Sequence, residues 1–325
     1  MSTPDWMNSL RQAFKSSREL SSYLEVDLPK LDYPVLVPLA LAKKIKERGP
    51  NSALWKQFVP HENESLEQGL DDPIADAIHS PTPMIVHRYQ NRALFLTTQR
   101  CPVICRYCFR KNELYTQHEA FGQQRDQALK YLTDHTEIQE VIFSGGDPLI
   151  LSNSKLKSYL DELEKISHLK YLRFHSRTPV VLPERVDKGL LELLSQAKQK
   201  YLQTTVVIHC NHVDELNPEV EMACNELIGR GVSVLSQSVL MKGINDDLQT
   251  LTNLFEKLVA MGVRPYYLHH PDDARGAQHF RLTLKEGQDL IAQLRQRLPG
   301  WALPRYTLEQ KGGTGKIDAM NLENS

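Results

Sequence analysis

Cys101, Cys105 and Cys108 place three of this chain's five cysteines within one short stretch, spaced CxxxCxxC. A single tetrahedral zinc ion takes four protein ligands, commonly in pairs of the CxxC or HxxxH type. Three close thiolates without a fourth suit a [4Fe–4S] cluster that leaves one iron open to another ligand. Pro102, Val103, Ile104, Tyr107 and Phe109 supply apolar cover for such a centre, and Arg106 and Arg110 bring positive charge to it. Zinc completed by His87 or His118 is the rival reading of the same cysteines.

Three further patterns carry chemistry. Ser144-Gly145-Gly146-Asp147-Pro148 offers two glycines that let backbone approach a ligand, followed by a carboxylate that can accept from an ammonium. Gly312-Gly313-Thr314-Gly315-Lys316 superficially resembles a phosphate loop. It fails the GxxxxGK[ST] pattern, because Gln310 and Ile317 stand where glycine and Ser/Thr belong. Taken alone, the segment reads as a flexible tail with a solvated lysine. Arg88 and Arg92 flank Tyr89, so two potential phosphate forks bracket a ring that can stack.

The elements that position these residues follow from periodicity. Short β-branched or aromatic runs at 93–97, 140–143, 171–175, 204–209, 232–236 and 265–269 are each followed by a helix-length amphipathic segment. In one such segment Leu248, Leu251, Leu254, Phe255, Leu258 and Val259 share a helical face. In the last, Thr283 and Glu286 predict a capping box. This alternation predicts right-handed βαβ units on a parallel sheet. The cysteines, Ser144 to Asp147, His175 to Arg177, His209, Gln237 and His269 to Asp273 all fall at the ends of predicted strands. Chemistry gathers at that end of parallel barrels, so one site built from six loops is expected. Residues 1–80 read as a helical extension, with Thr3 capping a first helix that starts at Pro4 and another helix near 40–48. That extension offers no catalytic constellation, and no further barrel unit is expected after Leu298.

Composition narrows the class. Hydrophobic residues make up 41%, charged residues 24%, and the net charge is −1, which gives no electrostatic case for nucleic acid or membrane binding. No signal-like start or apolar run of bilayer length is present, and clustered cysteines argue against a secreted disulfide framework. A cytoplasmic chain is expected.

Taken together, His87 to Arg92, Cys105 to Arg110, Ser144 to Pro148, His175 to Pro179, Gln237 to Leu240 and Gly312 to Lys316 resemble the lysine 2,3-aminomutases, which are radical S-adenosylmethionine enzymes. The resemblance runs from about Pro81 to Lys316. It implies an α/β fold with a partial (β/α)6 barrel over 81–300, an N-terminal helical extension over 1–80, and a short C-terminal segment over 301–325 carrying the cofactor lysine. It implies three cofactors: a [4Fe–4S] cluster on Cys101, Cys105 and Cys108, S-adenosyl-L-methionine, and pyridoxal 5′-phosphate on Lys316. Gly145, Gly146 and Asp147, with Ser176, Arg177, His209 and Gln237, are the implied contacts of S-adenosylmethionine. Arg88, Tyr89 and Arg92 are those of pyridoxal phosphate. Arg110 would take the substrate's α-carboxylate, and Asp246 and Glu309 its ε-ammonium. Glu309 departs from the aspartate of free-lysine aminomutases, and Ser236 replaces an asparagine.

The implied reaction turns L-α-lysine into β-lysine, with a 5′-deoxyadenosyl radical acting on lysine held as an aldimine. Chain size and the lack of cysteines after Cys224 resemble the bacterial aminomutase that makes (R)-β-lysine for modification of elongation factor P. A functional link to that factor and its lysyl-transferring ligase follows as an expectation. Serine at any one of Cys101, Cys105 or Cys108 is expected to abolish cluster assembly, measured as iron content and brown absorbance after anaerobic reconstitution. Four irons retained by the triple-serine protein would refute the assignment.

Overall fold

A computed structural model describes residues 5–111, 121–313 and 315–323. Thr3, Pro4, His118 and Thr314 lie outside these residues. The chain opens with four helices, α1 (Asp5–Arg11), α2 (Ser17–Leu24), α3 (Leu39–Arg48) and α4 (Ala53–Phe58). Strand β1 (Ile85–Tyr89) then pairs antiparallel with β2 (Arg92–Thr98). From β2 the chain alternates strand and helix, through α5 (Phe121–Asp134), β3 (Glu140–Gly145), α6 (Asn153–Leu163), β4 (Tyr171–Ser176), the single turn α7 (Thr178–Val181) and α8 (Lys188–Lys200). The alternation continues through β5 (Gln203–His209), α9 (Pro218–Gly229), β6 (Ser233–Val239), α10 (Leu248–Ala260), β7 (Arg264–His269) and α11 (Leu284–Leu294).

All six expected strands are present as β2 to β7, paired in parallel and in chain order. Sequential parallel neighbours with helical crossovers curl the sheet into a partial barrel. Helix starts are set locally. Ser152, Asp187, Asn217, Asp247 and Thr283 each have extended backbone and accept from an N–H three residues on, which satisfies a donor the helix leaves open. The Thr283–Glu286 capping box forms as predicted. In the core, Phe95, Phe143 and Phe174 stand side by side on adjacent strands, with ring centroids 5.8 Å and 4.5 Å apart. Tyr159 of α6 meets Phe95 edge-on at 5.3 Å.

One expectation is overturned. The chain after Leu298 adds β8 (Arg305–Glu309), parallel to β7, and β9 (Lys316–Asp318), antiparallel to β8. The sheet therefore has nine strands in order β1 to β9. Among the described residues no helix is long and apolar enough to cross a membrane.

The N-terminal helices are fastened to the barrel by Arg185, whose side chain is fully buried. Its guanidinium lies 4.8 Å from the Trp6 ring and donates to Leu149 O at 2.7 Å, Leu151 O at 2.9 Å and Asn153 Oδ1 at 2.9 Å. Replacing Arg185 with alanine strands these acceptors and opens a gap beneath Trp6. The expected loss of stability is about 3–5 kcal/mol, read from the denaturant midpoint.

Candidate active site

The strand ends face a cavity of about 310 Å³ that reaches from the three cysteines to Lys316. At one end, the loop after β2 presents Cys101, Cys105 and Cys108 to this space. Burial is the largest influence on each thiol and raises it, Cys108 to about 11. A cationic centre bound there would reverse that preference by favouring thiolate. Among the described residues no three side chains converge as ligands of a single metal ion. Three thiols on one loop are the donor set that a cluster with one open iron would take. His87 is engaged elsewhere, with Tyr131 Oη at 2.8 Å and Gln90 O at 3.3 Å.

The loop after β3 is locked against the start of the cysteine loop. Gly146 N donates to Thr98 O at 2.6 Å and Asp147 N to Arg100 O at 2.7 Å. A Cβ on Gly145 would stand 2.3 Å from Thr98 O, and one on Gly146 would stand 2.2 Å from Arg100 O. Gly145 also has a φ of 119°, which side chains disfavour. The close approach these glycines allow is thus to the chain's own backbone. The Asp147 carboxylate receives Ser176 Oγ at 2.7 Å, Arg177 N at 2.7 Å, Thr178 N at 2.9 Å and Leu149 N at 3.1 Å. Those donors fill the roughly four acceptor positions of a carboxylate. Asp147 and Ser176 therefore brace this wall, where the sequence had suggested that Asp147 holds an ammonium.

Tyr107 sits behind the cysteines at the centre of a buried polar network. Its hydroxyl meets His209 Nε2 at 3.0 Å, Asn211 Nδ2 at 2.7 Å and Arg177 Nη1 at 2.5 Å. Arg177 pairs with Glu215 and also donates to Gln57 Oε1 of α4 at 3.1 Å. His209 and Gln237 are register partners on β5 and β6, and both line the cavity. Burial, followed by Arg177, holds His209 neutral. Burial, followed by Arg173, does the same for His175, whose Nε2 has no hydrogen-bond partner among the described residues.

At the opposite end Lys316 is the first residue of β9, not part of a free tail. Its register partner across the β8–β9 hairpin is Glu309, and the two side chains form an ion pair. The seven-residue spacing seen in the sequence is therefore a cross-strand contact. Lys316 N donates to Tyr89 Oη at 2.5 Å. Gly315, with a φ of 147°, lies so close that a Cβ would be 2.3 Å from the Tyr89 ring. The Arg92 guanidinium stacks over the ring of this tyrosine, 3.6 Å from its centroid. Burial lowers the Lys316 ammonium to about 8; Asp272 opposes this, while Arg173 and Arg88 reinforce it.

Arg88 and Arg110 share one carboxylate, Asp76, which sequence reasoning missed. Arg88 also donates to Ile74 O at 2.9 Å and Gly313 O at 3.0 Å. Asp76 belongs to the extension that was expected to hold nothing of this kind, and no motif marks it. Asp246 corrects another expectation. It is exposed and outside the cavity lining, because buried Asn245 ties the loop to Met241 N at 2.7 Å and Asn211 O at 2.9 Å, turning its neighbour outward. Asp272, by contrast, does line the cavity, and burial raises it to about 6 while Lys316 opposes.

Because the glycine loop and cysteine loop are in backbone contact, Gly146→Ala must push them apart. The variant is expected to fold with a lowered melting temperature and to reconstitute less than half the parent's iron. Parent-like iron content would show that the loop tolerates the displacement.

Comparison with known proteins agrees with this geometry. The model of the radical SAM superfamily matches residues 95–255. L-lysine 2,3-aminomutase of Escherichia coli (strain K12) is 34% identical over 325 residues, covering 97% of this chain and 94% of that protein. The Haemophilus influenzae protein of the same name is 35% identical, covering 96% of this chain and 94% of its own. That of Clostridium subterminale is 32% identical, with 97% and 78% covered. Identity at this level across nearly the whole chain, on a site with three cysteines at one end and a half-buried lysine at the other, places the chain in the L-lysine 2,3-aminomutase family of the radical SAM superfamily.

Proposed function

We propose that the protein is an L-lysine 2,3-aminomutase, an isomerase that moves the α-amino group of L-lysine to C3 to give β-lysine. The observation that carries this reading is a half-buried lysine, Lys316, sharing one cavity with the acidic side chains of Glu309 and Asp272 and with the cysteine triad. When bound, the cluster and S-adenosylmethionine supply a hydrogen-abstracting radical, and pyridoxal phosphate supplies an electron sink for the migrating amine.

The protein's own residues have separable tasks. Cys101, Cys105 and Cys108 hold the cluster. His209 and Gln237 line the wall next to it and, with Gly145 and Gly146, would hold S-adenosylmethionine. Arg177 and Ser176 support that wall from behind. Lys316, with its ammonium lowered to about 8, has a useful neutral fraction near neutral pH and can hold an aldehyde. Tyr89, stiffened by Arg92, and Arg88 flank it for the ring and phosphate. Arg110 takes the substrate carboxylate. Asp272 and Glu309 take the distant ammonium, so that a cationic chain end is required. Apolar Val103, Val239 and Phe280 help keep water from the enclosed reacting centre.

The finer reading is that the product is (R)-β-lysine destined for elongation factor P. It rests on the resemblance of the sequence, and a mass shift on that factor in cells carrying the gene would test it.

Two measurements test the main reading. Borohydride after pyridoxal phosphate is expected to fix a pyridoxyl group on Lys316; a label on another lysine would count against it. For the ammonium site, the carboxylate form of Asp272 is the binding form. Affinity for lysine is therefore present above about pH 6 and declines as pH falls through that value. Asp272→Asn removes this acid limb and lowers kcat/KM for lysine about ten- to a hundredfold, assayed anaerobically by mass spectrometry. Unchanged lysine kinetics would mean that the ammonium is held elsewhere.

A further inference from the structure

Arg106 lies between two of the cluster cysteines and Lys111 follows the last by three positions, yet both cations point away from the cavity into the protein. Both are 1% exposed, as is the carboxylate between them, Glu64 of the N-terminal extension. Arg106 grips Glu64 as a fork, with Nε at 2.9 Å and 3.0 Å from the two oxygens and Nη2 at 2.6 Å from Oε2. Lys111 Nζ adds a contact to Oε2 at 3.0 Å, and His61 N donates to Oε1 at 3.0 Å. Beyond this carboxylate, Arg106 Nη1 reaches Pro34 O at 2.8 Å, and Lys111 Nζ reaches Gly276 O and Arg106 O, each at 2.7 Å. The Tyr33 ring lies 4.3 Å from the ammonium. Three distant chain segments, at 33–34, 61–64 and 276, therefore converge on the two basic side chains of the cysteine loop.

An isolated buried charge is costly, and removing one partner of a buried set leaves the others uncompensated. Here Glu64 balances only one of two cations, so the set retains a single positive charge against the loop. Burial raises Glu64 but the Arg106 and Lys111 contacts outweigh it, leaving the acid lowered and ionised. Lys111 adjoins the last cysteine directly, its backbone N donating to Cys108 O at 3.2 Å.

We infer that Glu64, Arg106 and Lys111 form a clamp that fixes the shape of the iron–sulfur loop and sets the reduction potential of the cluster bound there. The inference rests on the assignment of a cluster to the three cysteines. The geometry follows from the fork. Arg106 stands between Cys105 and Cys108, so holding its guanidinium rigidly fixes the backbone that separates them. The electrostatics follow from net charge. Reduction adds an electron to an anionic centre, so a nearby net positive charge favours the reduced state. Glu64 and Lys111 must then act in opposite directions on the potential, although both are structural partners of one set.

The test compares anaerobically reconstituted full-length parent, Glu64→Gln and Lys111→Met, by iron analysis and by redox titration followed by electron paramagnetic resonance. Glu64→Gln leaves two cations unbalanced. It should melt on the order of 5–10 °C lower, hold at most half the iron, and titrate at a more positive potential in the loaded fraction. Lys111→Met keeps the Arg106–Glu64 fork and cancels the net charge. It should retain most of the iron and titrate at a more negative potential. Shifts of the same sign in both variants, or parent-like potentials in both, would overturn the inference. Should Glu64→Gln not fold, Lys111→Met decides alone: a potential equal to the parent's or above it refutes the clamp. A parent that binds no iron would refute the cluster assignment itself, and the inference with it.

Discussion

The contact on which the site most depends is the one between the two edges of the sheet. Strand β1 at one edge and β9 at the other do not pair through their backbones. Side chains link them instead: Tyr89 Oη accepts from Lys316 N, and Arg88 reaches Gly313 O. An unpaired edge is a liability that proteins cover or cap. Here each outer strand runs antiparallel to its neighbour, and the seam between them becomes a functional wall. Gly315 is required at this seam because any side chain would collide with the Tyr89 ring. The lysine's position is consequently a property of the whole curl of the sheet, although the residue sits near the end of the sequence.

Burial then determines the charge states within the cavity. His175 and His209 stay neutral, and His269 is lowered to about 3, so three inner-face imidazoles add no positive charge to a space already bordered by Arg88, Arg110 and Lys316. The same burial that discharges them lowers Lys316 and raises Asp272, moving the amine and the acid toward each other from opposite ends of the scale. Desolvation is the first cause in every one of these cases, ahead of any single neighbour. Within that cavity Asp76 is held between two arginines, a fixed ion group alongside the Lys316–Glu309 pair.

Much of this was legible in the sequence because strand ends and helix caps are local. Short β-branched or aromatic runs, each followed by an amphipathic segment, mark β2 to β7, and residues at their ends do face one cavity. What was lost depended on tertiary direction. Residues 305–309 are a short run after Pro304, which periodicity alone does not separate from a tail, and without β8 the Glu309–Lys316 spacing reads as a loop. Asp246 and Asp272 both follow strands, so the sequence does not distinguish them. The distinction comes from Asn245, whose bonds to other loops turn Asp246 outward. Gly145 and Gly146 were recognised as places of close approach, but the partner was backbone from the neighbouring loop. Residue type conveyed the need for space without revealing what would fill it.

The N-terminal extension shows the same limit most clearly. Its helices are short, its connections are punctuated by proline, and no pattern within it suggests chemistry. Yet Gln57 enters the network around Tyr107, Glu64 holds the arginine between two cysteines, and Asp76 joins the two arginines at the far end. Each is a single polar side chain on an otherwise structural segment, so neither composition nor spacing distinguishes it from a solvated surface residue. Their common feature is burial against a charged partner encoded elsewhere. A partial barrel leaves part of its wall to be completed by other parts of the chain. An extension that supplies polar partners at three depths along that wall belongs to the site, because the cations it neutralises would otherwise be buried without compensation.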